Sequence, residues 1–428
     1  MALLPAEHPE RFVLADEVHA RPPEPLETPS RASYVAVLVD ADDRGREIEH
    51  LAALCERFGV LPPPPGASHF AAALGGLRLK WERHGEFSGY TVFAPGVSAE
   101  PFADPVAQLL PARWLEKVPG RTLVAAHARL VPAADGVPDA AELARLFEGH
   151  TAIGAEIGDG AGLAFTDFRI HADGFSRVVL FDRSFTPRQA GRMMQRLFEI
   201  EAYRMLALLA LPIARRQMPR IAAIEKSLAE LTDGIAQGGG DDEALLQQLT
   251  RLAAEVESGL SASQFRFGAT RAYDALVRTR IGELRERRIP GTPPIEEFMA
   301  RRFTPAVATC ATVSQRLHGL SERVAQASSL LSTRVDIARE RQNQALLASM
   351  YRRARLQLRL QQTVEGLSVA AIVYYVAGVT GYLAKALKAA GLHIDPDLVV
   401  GLALPVVALL VIRALRRVRR RLHADEPQ

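Results

Sequence analysis

Three short stretches set histidines beside carboxylates, the side chains that hold divalent ions and move protons. The first, HPERFVLADEVHARP, holds His8, Asp16, Glu17 and His19. Its two histidines are eleven positions apart and match no HExxH or HxH spacing. A surface extension with capping and ion-pair roles accounts for them as well as a metal site does. The second, KWERHGEFSGYT, offers His84, Glu86 and Tyr90 as an acid–base group, or as polar tips of a hairpin turn. The third, DFRIHADGFSR, places Arg169, His171, Asp173 and Arg177 around Asp173–Gly174, a standard hairpin signal.

Phosphate and acyl-transfer signatures are missing. Gly158, Gly160 and Gly162 in GDGAG look like a phosphate loop only superficially, because no GxxxxGK[ST] occurs and no Rossmann spacing follows the first strand. No GxSxG is found either. Cys55 and Cys310 stand far apart, which excludes a disulfide framework and a cysteine zinc site and suits a reducing compartment. The expectation is a protein that is not an enzyme, with no catalytic set, no metal site and no cofactor.

The elements that would position these residues change character along the chain. Up to about residue 185, turn signals such as PPEPLETP, LPPPPG and GDG separate short apolar runs. Strands are expected at Tyr34–Val39, Leu77–Arg83, Gly89–Phe93, Leu123–Val131, Ala152–Ile157, Leu163–Ile170 and Phe175–Phe181. Helical periodicity appears at Arg46–Phe58 and Ala140–Phe147. Residues 1–185 therefore read as an α+β cytoplasmic domain with a largely antiparallel sheet.

Beyond Pro187 the strand signals stop. Residues 186–290 read as a helical region, with helices over 187–217, 219–236 and 242–287. Residues 291–365 hold a long stalk helix that starts near Pro305. Its stripe Val307, Cys310, Ser314, Leu317, Ser321, Val324, Ser328, Leu331, Val335, Ala338 steps by three and four, as in a coiled coil. The many small residues in it imply close packing and a weak independent zipper. The same helix is expected to lead into a two-helix transmembrane hairpin.

Residues 366–384, GLSVAAIVYYVAGVTGYLA, contain no charge and would span about 28 Å as a helix, close to the ~30 Å hydrocarbon core. A second run, 398–412, contains Pro405, which neighbouring helices tolerate in a membrane. Arg352, Arg353, Arg355 and Arg359 precede the pair, and Arg413, Arg416, Arg417, Arg419, Arg420 and Arg421 follow it. The short loop 385–397 carries only Lys385 and Lys388, offset by Asp395 and Asp397. Positive flanks put both termini in the cytoplasm and make 413–428 a basic cytoplasmic tail. No basic n-region followed by an apolar stretch opens the chain, so no cleavable signal is expected. Within the first span Ser368, Tyr375 and Tyr382 share one face, seven residues apart. They could line a pore if several copies surround an axis. Ordinary helix packing through Gly378 and Gly381 is the plainer account.

Composition agrees with this division. Apolar residues make up 48% and charged residues 24%, values that allow a globular core. The net charge of +3 sits in the tail, and the rest is close to neutral, which speaks against a nucleic-acid partner. The expected partners are the lipid bilayer and further copies of the chain.

The stretches HPERFVLADEVHARP, GLRLKWERHGEFSGYT, DFRIHADGFSR and RQNQALLASMYRRARLQLRLQQTVEGLSVAAIVYY resemble a bacterial membrane-protein family known only as domain of unknown function 3422. That resemblance implies an inner (cell) membrane location and no particular activity. The layout also resembles the CorA-type magnesium channels, whose first membrane helix ends in a Gly-Met-Asn signature. Here the matching place reads GVTGYLAKALKAAG, without that signature, and Lys385 and Lys388 would repel a divalent cation. The resemblance implies oligomerisation, and a channel or transporter of altered selectivity as the alternative to a scaffold or regulator. A membrane-tethered hydrolase using the His84 or His171 turn is the third possibility.

Overall fold

The computed structural model describes residues 5, 7–12, 14–15, 22–133, 136–238, 241–391 and 395–422, with side chains beyond residue 414 described only at 417. Asp16, Glu17 and His19 of the first stretch lie outside these residues, as do the side chains of Arg416, Arg419, Arg420 and Arg421. The chain divides into two compact units, Met1–Ser328 and Ser329–Gln428.

An eight-stranded sheet organises the first unit. Its strands are β1 (Ser30–Leu38), β2 (His69–Leu74), β3 (Leu77–Arg83), β4 (Phe87–Pro95), β5 (Arg121–Pro132), β6 (Ile153–Ile157), β7 (Gly162–Thr166) and β8 (Ser176–Asp182). Their order is β2-β3-β4-β1-β5-β8-β7-β6. Every pairing is antiparallel except β5 with β8, so the largely antiparallel expectation holds. The parallel pair needs a crossover, supplied by α2 (Ala140–Leu146) and the β6–β7 hairpin.

Both faces of the central strands are covered, which explains their nearly continuous apolar sequence. One face carries Ala32, Tyr34, Ala126, Leu130, Val178 and Leu180. It packs with Met194, Phe198 and Leu206 of α3 (Pro187–Leu208) and with Val277 and Ile281 of α5 (Asp242–Leu284). Tyr34 stacks on Phe198 with ring centroids 5.0 Å apart, worth about 1 kcal/mol beyond the area buried. The opposite face splits in two. Val35, Trp81, Tyr90 and Trp114 pack with Leu51 and Leu54 of α1 (Arg44–Arg57). Phe165, Val179 and Phe181 pack with Leu146 and Phe147 at the end of α2.

Side chains of Asp139, Thr186 and Asp241 cap the starts of α2, α3 and α5. Thr186 and Gln189 form a capping box around Pro187 at the head of α3. The break expected at 217–219 instead falls at Leu209–Ala210, because α4 (Leu211–Gln237) runs straight through Pro219. Pro219 and Arg215, whose carbonyl it strands, are both exposed to solvent. α6 (Ile295–Arg302) is followed by α7 (Thr304–Ala389), the long helix anticipated from Pro305.

Within the first unit the early part of the heptad stripe is used up inside the chain. Cys310, Leu317 and Val324 are buried. Leu317 approaches Gly259 of α5. Arg316 pairs with Glu225 of α4 at 2.6 Å, and Ser321 donates to Glu257 of α5 at 2.7 Å. These residues form an intramolecular helical bundle.

In the second unit α7 continues to Ala389, and α8 spans Pro396–Leu422. Two helices are long and apolar enough to cross a membrane, by length and composition. Their large side chains, among them Leu367, Tyr374, Leu383, Leu402 and Leu409, point outward. Ala377 and Ala384 are buried, and a Cβ on Gly381 would sit 3.2 Å from Val400 of α8. Small residues at four- and three-residue steps let the two backbones approach.

Candidate functional site

The polar groups singled out in the sequence go to separate places. His8 accepts a hydrogen bond from the backbone N–H of Glu10 at 3.2 Å and is exposed. His84 stacks on Phe87 with centroids 4.2 Å apart and lines a cavity of about 20 Å³ with Tyr34, Lys80 and Tyr203. That volume holds a water and no larger ligand. Glu86 is paired with Arg266 of α5 at 2.5 Å.

Two further polar groups are structural. Ser33, His127 and Asp173 line up in the order of a catalytic triad. Ser33 Oγ is 2.9 Å from His127 Nδ1, and His127 Nε2 is 3.8 Å from Asp173. Ser33 and His127 are buried, however, and the Ser33 oxygen also accepts the Ala107 N–H at 3.0 Å. Burial pushes His127 down to about 4, more than the nearby Asp173 raises it, so the ring is neutral at pH 7 and the 3.8 Å contact is no ion pair. Glu47 is likewise sealed in the core, where one oxygen accepts from Trp81 Nε1 at 3.0 Å and from Tyr90 at 2.8 Å. Burial, then Glu47, pushes the Tyr90 hydroxyl well above its usual range.

The third stretch builds a site with partners that lie elsewhere in sequence. Asp167 follows the last residue of β7. Its Oδ1 accepts the backbone N–H of Arg169 at 3.1 Å, which turns the chain. That leaves Oδ2 facing two imidazoles, His150 Nδ1 at 2.9 Å and His171 Nε2 at 2.9 Å. The other nitrogen of His171 lies 3.1 Å from Glu148 Oε2. Arg177 of β8 holds Glu148 Oε1 at 2.6 Å, while its guanidinium lies over the Phe102 ring. Hydrogen bonds from His171 and then Arg177 hold the Glu148 carboxyl below its ordinary range. The side chains of Asp167 and His171 are wholly shielded, and His150 is 35% exposed.

Two backbone outliers frame this group. Glu148 and Phe168 both have φ of 52°, a region that side-chain-bearing residues enter at a cost of about 1–3 kcal/mol. Phe168 is held there by stacking on Phe298 at 5.2 Å and by Arg204 above its ring. Asp167, Phe168 and Arg169 also line a cleft of about 600 Å³ with Thr151, Phe298, Arg301 and Arg302. Sequence reading found His171, Arg169 and Arg177 but missed Glu148, His150 and Asp167. The readable signal was the four-residue spacing of Asp167 and His171. The pairing with the segment after α2 exists only once β6, β7 and β8 are assembled.

In the apolar helix pair Ser368, Tyr375 and Tyr382 are exposed and lie on the face of α7 opposite Ala377 and Ala384. The Ser368 hydroxyl donates to Val364 O at 2.9 Å, and Thr380 donates to Val376 O at 2.7 Å.

The profile of the family described as "Protein of unknown function (DUF3422)" matches residues 6–422. No curated protein matches the chain. Among solved structures, "structure of the full-length CmaX protein" aligns over 70% of this chain and 94% of that one, at 14% identity and a TM-score of 0.20.

Proposed function

We propose, from the premise that the chain belongs to the DUF3422 family, that it is a non-enzymatic inner-membrane protein. Its hairpin is an anchor, and its first unit does the recognition for a regulatory or scaffolding role. The observation that carries this reading is the seam of Ala377, Gly381 and Ala384, with Gly381 against Val400. Two helices closed on each other through small residues, with apolar side chains outward, suit insertion as a unit in lipid. The Ser368 and Thr380 hydroxyls are already spent on their own helix, so neither requires a water-filled lumen.

Orientation follows from the arginines. Arg352, Arg353, Arg355 and Arg359 on one side and Arg413 and Arg417 on the other put both termini in the cytoplasm. Cysteine labelling tests this, since Cys55 and Cys310 are buried and give little background. A cysteine placed at Lys388 should react with an impermeant maleimide from outside intact cells, and one placed at Arg355 should not. The reverse pattern would overturn the orientation.

The second reading is a CorA-like conductor of altered selectivity. It is favoured by the outward face of Ser368, Tyr375 and Tyr382, which only neighbouring copies could enclose. Light scattering in detergent decides between the readings. A ring of several protomers supports conduction and calls for liposome flux. A monomer or dimer leaves no enclosed pore.

A further inference from the structure

We infer that His150, Asp167 and His171 bind a first-row transition-metal dication, with Glu148 as the partner that orients His171. His171 has both ring nitrogens against carboxylates, Nδ1 on Glu148 and Nε2 on Asp167. A neutral imidazole carries one N–H, so one of these contacts would press a lone pair against a carboxylate oxygen. One more proton, on the imidazole or on a carboxyl, removes that repulsion, and so does a cation between Nε2 and Oδ2.

The geometry favours the cation. The same Asp167 oxygen also faces His150 Nδ1, so three ligand atoms converge on one point, all within 4.8 Å of one another. A dication bonded at about 2.0–2.1 Å to imidazole nitrogen and carboxylate oxygen holds such donors roughly 3.3 Å apart. The two contacts of 2.9 Å open to that value with rotations of a few tenths of an ångström. Two imidazoles and one carboxylate suit zinc and its first-row neighbours and are poor for calcium or magnesium.

The surroundings have the form of a support for a metal ligand. Histidine ligands characteristically donate their second N–H to a carboxylate. His171 does so to Glu148, which Arg177 fixes in turn. Asp167 is held by the Arg169 N–H, and the strained Phe168 adjoins it. Three protein donors leave a coordination position open. Asp167 also lines the cleft that carries Arg169 and Arg302.

The test uses full-length protein in detergent, stripped with chelator, and titrated with Zn²⁺ against a chromophoric competitor. One equivalent should bind per chain. His150→Ala, at a half-exposed position, should weaken binding by at least about tenfold while leaving circular dichroism unchanged. Glu148→Gln should weaken it by about 10–100-fold. Co²⁺ should give a visible d–d spectrum that His150→Ala alters. His84→Ala serves as the control and should bind as the parent does. If stripped protein takes up no stoichiometric Zn²⁺, or His150→Ala binds equally well, the metal site is refuted.

Discussion

Asp167 and His171, four residues apart, meet at 2.9 Å with both side chains closed off from solvent. Beside their contact the β7–β8 connection meets His150 of the segment after α2. A cation bound there would tie these two loop segments together. Zn²⁺ at a hundred times its Kd should then stabilise the first unit by about 2.7 kcal/mol. Differential scanning calorimetry should show a Tm higher by a few degrees. His150→Ala should remove the rise, and a rise unchanged in that variant would contradict the assignment.

Glu47 makes a second prediction. Removing it takes from Trp81 Nε1 and the buried Tyr90 hydroxyl the carboxylate oxygen they share, and from Arg44 a nearby charge. Glu47→Ala should cost about 3–5 kcal/mol, and Glu47→Gln, which keeps an oxygen, clearly less. Both tryptophans of the chain belong to this core. Urea unfolding followed by their fluorescence therefore reads it directly, and equal midpoints for the two variants would contradict this account.

His127 makes the fold acid-sensitive. Its folded value of about 4 lies below the unfolded 6.5, so between those values the unfolded chain holds more protons. The stability it contributes is whole above about pH 6.5. It is lost as pH falls towards 4, by about 3 kcal/mol in all. His127→Asn still offers Ser33 an acceptor but does not titrate. The variant should be less stable at pH 7 and show a flatter loss between pH 6.5 and 4. An identical slope in unfolding curves across that range would count against the assignment.

Gly191 lies under the irregular segment that precedes β1. A Cβ there would sit 1.7 Å from the Glu24 carbonyl oxygen, which is backbone and has little room to move. Gly191→Ala should cost several kcal/mol and expose Glu24–Thr28 to protease. A variant that keeps parental Tm and cleavage pattern would show that this segment is not held as described.

Much of the fold was legible because period and turn chemistry agreed. β3 began and ended at the expected Leu77 and Arg83, and the long helix began beside Pro305. β2 was missed because HFAAAL has no β-branched residue, and its place comes from pairing with β3. The stripe from Val307 steps as in a coiled coil. Local periodicity cannot say which helix fills a groove, and α4 and α5 meet the early part of the stripe from within the same chain. The candidate site was half legible for a related reason. His171 stood out, but Glu148 and His150 reach it only through the crossover from β5 to β8.

Anchoring by the hairpin is the central claim, and extraction of membranes with alkaline carbonate tests it most directly. Full-length protein expressed in bacteria should stay in the membrane pellet at high pH and leave it only with detergent. Release into the carbonate supernatant would contradict the account, because a chain held by two spanning helices cannot be stripped by charge and salt.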